Sequence, residues 1–324
     1  MLNDKILSHS MNKSKLKFNF LKDSKQAGIW QYSAYLSPLP NQFKLSLNEG
    51  QTPEISLGEV ILKREDTNPT GSLKDRGLAY LISWAYSQGQ KKMTLSSSGN
   101  AAIAAAHYCQ LANLSLTVFV SPKISSGKLA ELKKTGVEII LSERAVSEAQ
   151  KFAQQEGSFN LRPSLCEFGP EGYQTMAFEI LENQGIVEDI FLPVSSGTAL
   201  VGVARGFKKM GFLPRLHLCQ STAVCPLAAK FTSDFEREKV SLAQALVAKT
   251  TPLKEEVLNL VRSSGGTGWV ISNQEIQIAQ KELKEAGIFT SEEGALAYAA
   301  VAKARARGWS LGKSVCLLTG KKYD

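Results

Sequence analysis

Three stretches of this 324-residue chain repeat one order of elements, and that order restricts the fold more than any other feature. Residues 61–77, 93–108 and 190–207 each run from a short apolar strand, through a turn built from Ser, Gly, Asn, Thr or Pro, into a helix. LSLTVFVSP at 114–122 adds a β-branched strand ended by proline, and 125–143 gives a helix stopped at Gly136 and then another strand. Strands alternating with helices of this length predict an α/β architecture, a parallel sheet with helices on both faces.

The first of these units, ILKREDTNPTGSLKDRG, carries one centrally placed lysine, Lys74. Pro69 disfavours helix at Asn68, Gly71 permits a left-handed backbone, and Ser72 is a good N-cap for the helix that follows. Lys74 then stands in a first helical turn, where the helix dipole favours an acid over a cation. A lysine so placed and partly out of water has a lowered pKa, as a Schiff-base amine requires. Taken alone, such a lysine is more often a solvated surface charge.

At 93–108, Ser97, Ser98, Gly99 and Asn100 stand at a helix start, where unpaired N–H groups and short polar side chains suit a carboxylate or phosphate. The turn Ser195, Ser196, Gly197, Thr198 and Ala199 opens a helix in the same way and offers an anion several backbone donors without a lysine. SVCLLTG near the end is a hydrophobic strand with Thr319 at its carboxyl end, the edge at which α/β sheets bind ligands. Between these units, 28–58 reads as extended segments and turns, 227–259 as amphipathic helices, and 264–308 as a helix start, a loop and an alanine-rich closing helix.

Composition sets the outer bounds. The length implies two domains or a split core, and 43% apolar with 21% charged residues is ordinary for a soluble globular protein, with no apolar run of membrane-spanning length. The net charge of +8 gathers partly in an N-terminal arm (Lys5, Lys13, Lys15, Lys17, Lys22, Lys25), read as a loose basic segment. That arm lacks the pattern of a secretion or transit signal, so a cytoplasmic location is expected. Elsewhere the charge signs interleave without a basic–aromatic stripe, which argues against nucleic acid as a partner. The 5 cysteines are scattered among apolar neighbours and read as reduced thiols; with 3 separated histidines, no metal site is expected.

NPTGSLKDRG resembles the NPTGSFKDRG motif of threonine synthase and its relatives among the fold-type II pyridoxal-phosphate enzymes, Leu73 replacing Phe. The likeness extends over roughly residues 28–324. SLNEGQTPEI, SSSGNAA, SGKLAELKKTGVEI, PEGYQTMAFEI, the SNQEI…GIFTSEEGA passage and the closing TG with its KKYD tail all resemble family segments. By that resemblance the chain has two open sheets of parallel type with the cofactor in the cleft between domains, divided as an arm over 1–27, an N-terminal unit over 55–175, and a second unit over 28–54 plus 176–324.

The resemblance also implies the site. Pyridoxal 5'-phosphate is held by Lys74, its phenolic oxygen by Asn100, its phosphate by Ser195 to Ala199 and its ring nitrogen by Thr319. The amino-acid substrate meets Thr70, Ser97, Ser98, Gly99 and Lys128, and the enzyme is a homodimer. The implied reaction converts O-phosphohomoserine and water to threonine. LCEFGPEG has no arginine where many threonine synthases anchor the substrate phosphate, so a serine/threonine dehydratase or a β-replacement enzyme stays open, as does a non-catalytic binding paralogue.

Overall fold

The computed structural model describes residues 18–97 and 99–323. Two sheets organise them. The larger begins with the hairpin β1 (Glu54–Leu57) and β2 (Val60–Lys63) and continues with β7 (Asp189–Pro193), β8 (Arg215–Ser221), β9 (Thr267–Ile271) and β10 (Ser314–Leu317). Their order across the sheet is β1-β2-β10-β7-β8-β9, with every pair parallel except the hairpin. The smaller sheet holds β3 (Lys92–Ser96), β4 (Ser115–Val120), β5 (Glu138–Leu141) and β6 (Phe159–Asn160), all parallel in the order β5-β4-β3-β6.

Side chains along the larger sheet's strands alternate between its two faces, as the two-residue side-chain period requires. Ile61, Ile190, Leu192, Leu216, Leu218, Val315 and Leu317 pack against α5 (Gln174–Gln184), α6 (Thr198–Lys209) and α7 (Lys254–Ser263). Val60, Leu62, Phe191, Cys219, Cys316 and Leu318 point the other way, onto α8 (Asn273–Glu285) and α9 (Glu292–Ala306). Covering on both faces explains why VILK and DIFLP are buried at every position. On the smaller sheet, Leu116, Val118 and Val120 join the core under α1 (Lys74–Ser87) and α2 (Asn100–Leu111). Phe119 takes the opposite face, against Phe152 of α4 (Ala145–Glu156) with ring centroids 5.4 Å apart. The remaining helix, α3 (Ser126–Lys134), connects β4 to β5. The expected α/β class with parallel sheets and helices on both faces is the architecture found.

Several local expectations need correction. Strand 60–63 hydrogen-bonds to β10, so the segment from 55 joins the sheet of the C-terminal half and not that of 92–160. Conversely, residues 28–35 form a 3-10 helix, not extended chain, and pack into the smaller sheet's core because Trp30 meets Tyr80 at 5.5 Å. The stretch 227–259, read as helices, holds one short 3-10 turn at Ala228–Lys230 and irregular chain before α7 begins at Lys254. TGWVI at 267–271 is an edge strand that the helical reading of 264–308 passed over. Residues 1–17 of the basic arm lie outside the described residues; Phe20 of its remainder packs on Tyr32, Tyr35 and Phe178, and Lys22 pairs with Glu182 at 2.6 Å.

Candidate active site

The loop after β2 is fastened to the end of β10. Asp66 N–H donates to Leu318 O (2.9 Å), Leu73 N–H to Thr319 O (3.0 Å) and Lys321 N–H to Gly71 O (2.8 Å), while Ser72 and Gly320 form an isolated bridge. Gly71 has φ +87° and the stem of Lys321 fills the space a Cβ would need, so any other residue in that turn is strained and must move that stem. Helix α1 starts at Lys74, with Leu73 in the boundary position; Ser72, the expected cap, accepts from Lys74 N–H through its hydroxyl at 3.3 Å.

Burial alone lowers the Lys74 amine from 10.5 to about 8. The apolar cover includes the Tyr173 ring, whose centroid is 5.9 Å from Nζ. Tyr173 comes this close because Gly77 and Gly202 carry no side chain where its ring and Cβ lie. Its hydroxyl is buried without a partner among the described residues.

Asn100 is the first residue of α2, directly after β3, and Gly99 is its cap, donating to the Ser97 hydroxyl at 3.3 Å. Ser98 lies outside the described residues. The Asn100 amide faces the backbone of Gly320: a Cβ there would stand 2.6 Å from Nδ2. Its Oδ1 is buried and unpartnered among the described residues. Lys74, Asn100 and buried Thr319 are thus drawn around one junction between the carboxyl edges of the two sheets.

The turn 195–199 leaves β7, the parallel neighbour of β10, at the same edge. Gly197 has φ +91° with its α-carbon against Val257, and α6 follows from Thr198. The turn is braced from behind: Thr251 Oγ1 donates to Ser196 O (2.6 Å) and Ala248 N–H to the Ser195 hydroxyl (3.3 Å). The first N–H groups of α6 have no intrahelical acceptor and point out of the turn.

Of the expected substrate groups, Thr70 is already engaged. Its N–H and hydroxyl both donate to Asp75, at 2.8 and 2.5 Å, and its carbonyl accepts from the Tyr323 hydroxyl at 2.9 Å. Burial pushes the Asp75 carboxyl up to about 7, against the opposing effect of those bonds. Lys128, on α3, holds its Nζ 5.7 Å from the Tyr323 ring centroid.

A second tier of residues was not singled out from sequence. The fully buried Arg76 guanidinium binds Glu65 (2.7 Å from both Nε and Nη2) and Glu179 (2.7 and 2.8 Å). Lys63 joins from β2, 2.7 Å from Glu179 and 3.0 Å from Glu54. Burial opposes charge on Glu179, yet Arg76 and Lys63 hold its carboxyl well below the usual range. The available signal was the adjacency of Asp75 and Arg76 to Lys74: three charges in a row entering an apolar helix cannot all face water.

The site has the donor set of a cofactor cradle: a lysine whose amine loses its proton more readily than in water, an unpartnered buried amide, a strand-end threonine and a helix start with free N–H groups. Family comparison agrees. The profile described as "Pyridoxal-phosphate dependent enzyme" matches residues 45–320. The chain belongs to this family. Among curated relatives, threonine synthase of Methanocaldococcus jannaschii is 27% identical, covering 91% of this chain and 80% of that protein. Threonine synthase of Mycobacterium tuberculosis is 27% identical over 89% of this chain and 86% of its own length. Solved structures share the fold. Maize serine racemase superposes with TM-score 0.75 at 21% identity over 85% of this chain and 89% of that one. An O-acetylserine-dependent cystathionine β-synthase from Helicobacter pylori gives 0.73 at 21%, over 85% and 94%. The protein is therefore a pyridoxal-phosphate-dependent lyase of the fold-type II architecture.

Proposed function

We propose that this enzyme is threonine synthase-like, converting O-phosphohomoserine and water to threonine and phosphate, with Lys74 as the residue that binds pyridoxal phosphate covalently. The observation that carries the proposal is the Lys74 amine, lowered to about 8 by burial and drawn to one junction with Asn100 and Thr319. Threonine synthases over most of the chain's length supply the choice of reaction.

When bound, the cofactor supplies an electron sink for negative charge at the substrate's α-carbon. Lys74 Nζ, neutral in a large fraction near its pKa, takes the proton from that carbon and returns protons along the chain. Asn100 orients the cofactor's phenolic side, and Ser195 to Ala199 hold its phosphate through backbone N–H groups. Thr319 would offer a neutral hydroxyl to the ring nitrogen, a partner that suits elimination and replacement over transamination. Ser97 and Gly99 offer a helix start to the substrate carboxylate, Lys128 a cation to its far end, and Thr70, locked by Asp75, shapes the wall.

The deciding assay compares phosphate release from O-phosphohomoserine with deamination of threonine and serine. Threonine and phosphate should form in equal amounts. The loop 163–170 (PSLCEFGP), which has no arginine, favours a dehydratase or β-replacement enzyme as the second reading, and deamination without phosphate release would establish that one instead.

A further inference from the structure

The residues beyond β10 fold back over the mouth of the candidate site and bring a second cation to it. Lys321 is fixed twice, by its N–H on Gly71 O (2.8 Å) and by its stem lying on the bare face of Gly71. Two residues on, the Tyr323 hydroxyl donates to Thr70 O at 2.9 Å, so the tail is pinned to both residues before the lysine helix. The Tyr323 ring then has two ammonium groups near it, Lys321 Nζ at 4.9 Å and Lys128 Nζ at 5.7 Å from its centroid.

Neither ammonium forms an ion pair with a carboxylate among the described residues. The acids around them are engaged elsewhere: Glu131 with Lys134 at 2.7 Å, Glu292 with Lys322 at 3.1 Å, and Asp75 with Thr70. An aromatic face attracts each cation without cancelling its charge. Lys128 is also the third residue of α3, whose N-terminal N–H groups add partial positive potential at the same place. Two ammonium groups gathered at one ring, neither ion-paired with a carboxylate among the described residues, form a receptor for an external dianion.

We propose that Lys321 and Lys128, gathered at Tyr323, bind the phosphate monoester end of the substrate. This deepens the phosphorylated-substrate reading above and rests on it for the identity of the ligand. A phosphate monoester carries nearly two negative charges at neutral pH, and two lysines match it where the loop 163–170 offers no arginine. The receptor is assembled from α3 and the C-terminal tail.

The test titrates holoenzyme, whose cofactor-phosphate turn is already filled, with inorganic phosphate by calorimetry. Lys321→Gln, which keeps most of the stem on Gly71, and Lys128→Gln should each weaken phosphate binding about tenfold or more, because each removes one charge-assisted bond. Lys321→Arg should retain binding, and Lys322→Gln, whose amine already has Glu292, should leave it unchanged. The same two glutamine variants should raise KM for O-phosphohomoserine more than they lower kcat. Undiminished phosphate affinity in Lys321→Gln, or no phosphate binding to the wild type, overturns the inference. If the variants lose phosphate affinity as expected while the wild type releases no phosphate from O-phosphohomoserine, the assigned reaction fails and the dianion receptor stands.

Discussion

Two helix starts at the same sheet edge are built in opposite ways. Helix α1 opens on a cation, Lys74, and helix α6 opens on the neutral sequence Ser-Ser-Gly-Thr-Ala. At α1 burial penalises the positive charge, so the lysine sheds its proton more easily than in water. At α6 the first turn carries no acidic side chain, and Gly197 would let the backbone approach an anion there. Their supports differ as well: a buried ion network under α1, hydroxyl and amide braces from 248–251 behind α6. The proposed roles, covalent attachment at Lys74 and an anion at 195–199, would divide accordingly, and only the first needs costly burial of charge.

The sharpest way to break this contrast is Lys74→Ala. The variant should give no borohydride-fixed lysine adduct, since no other amine is proposed to attach the cofactor. A reducible lysine adduct in that variant would place the attachment elsewhere. Next in size is Arg76→Leu, which leaves Glu65 and Glu179 buried without their main partner; unfolding in urea should show a loss of about 3–5 kcal/mol. A loss below 1 kcal/mol would mean that the network does not support α1.

On the α6 side the effects are smaller. Gly197→Val must take φ +91° and overlap Val257, so cofactor affinity should fall by about tenfold or more, whereas Ser196→Ala should cost only about 0.5–1.5 kcal/mol of binding. Equal affinities for the two variants would show that the phosphate does not sit on this turn. The smallest effect concerns pH. Because the folded Lys74 pKa is lowered to about 8 from 10.5, the unfolded chain holds a proton the folded one has lost between those values, and stability rises with pH across that window. Cofactor-free wild type should thus be less stable than Lys74→Met below pH 8. The gap should close towards pH 10.5, by at most about 1.4 kcal/mol per pH unit. A pH-independent difference would show that the amine is not desolvated.

Much of the candidate site was legible because its pieces are short and contiguous. Gly71 before Lys74, Gly99 before Asn100 and Gly197 before Thr198 each mark a turn entering a helix, and such turns are written in φ preferences and capping. Thr70 shows the limit of that reading. Its hydroxyl looks available in the sequence, and the structure commits it to Asp75. Tyr173 escaped notice since nothing local announces that an aromatic 99 positions downstream will cover the lysine; Gly77 and Gly202 made room for it, and their purpose shows only once α1 and α6 are packed together.

What the sequence determined by itself was the alternation of strands and helices, the parallel α/β class and the turns that flank Lys74. These rest on backbone preferences and on side-chain periods of 2 and 3.6 residues, which act within a few residues of chain. Tertiary structure alone decided which sheet receives 60–63, since a four-residue apolar strand can pair with either and only the ladder to β10 settles it. It also decided the chemistry of Lys74, because desolvation is a property of the surrounding volume. And it placed Lys321 beside Gly71, some 250 positions away in the chain, where the missing side chain of a glycine leaves room for a lysine stem that no sequence period could have located.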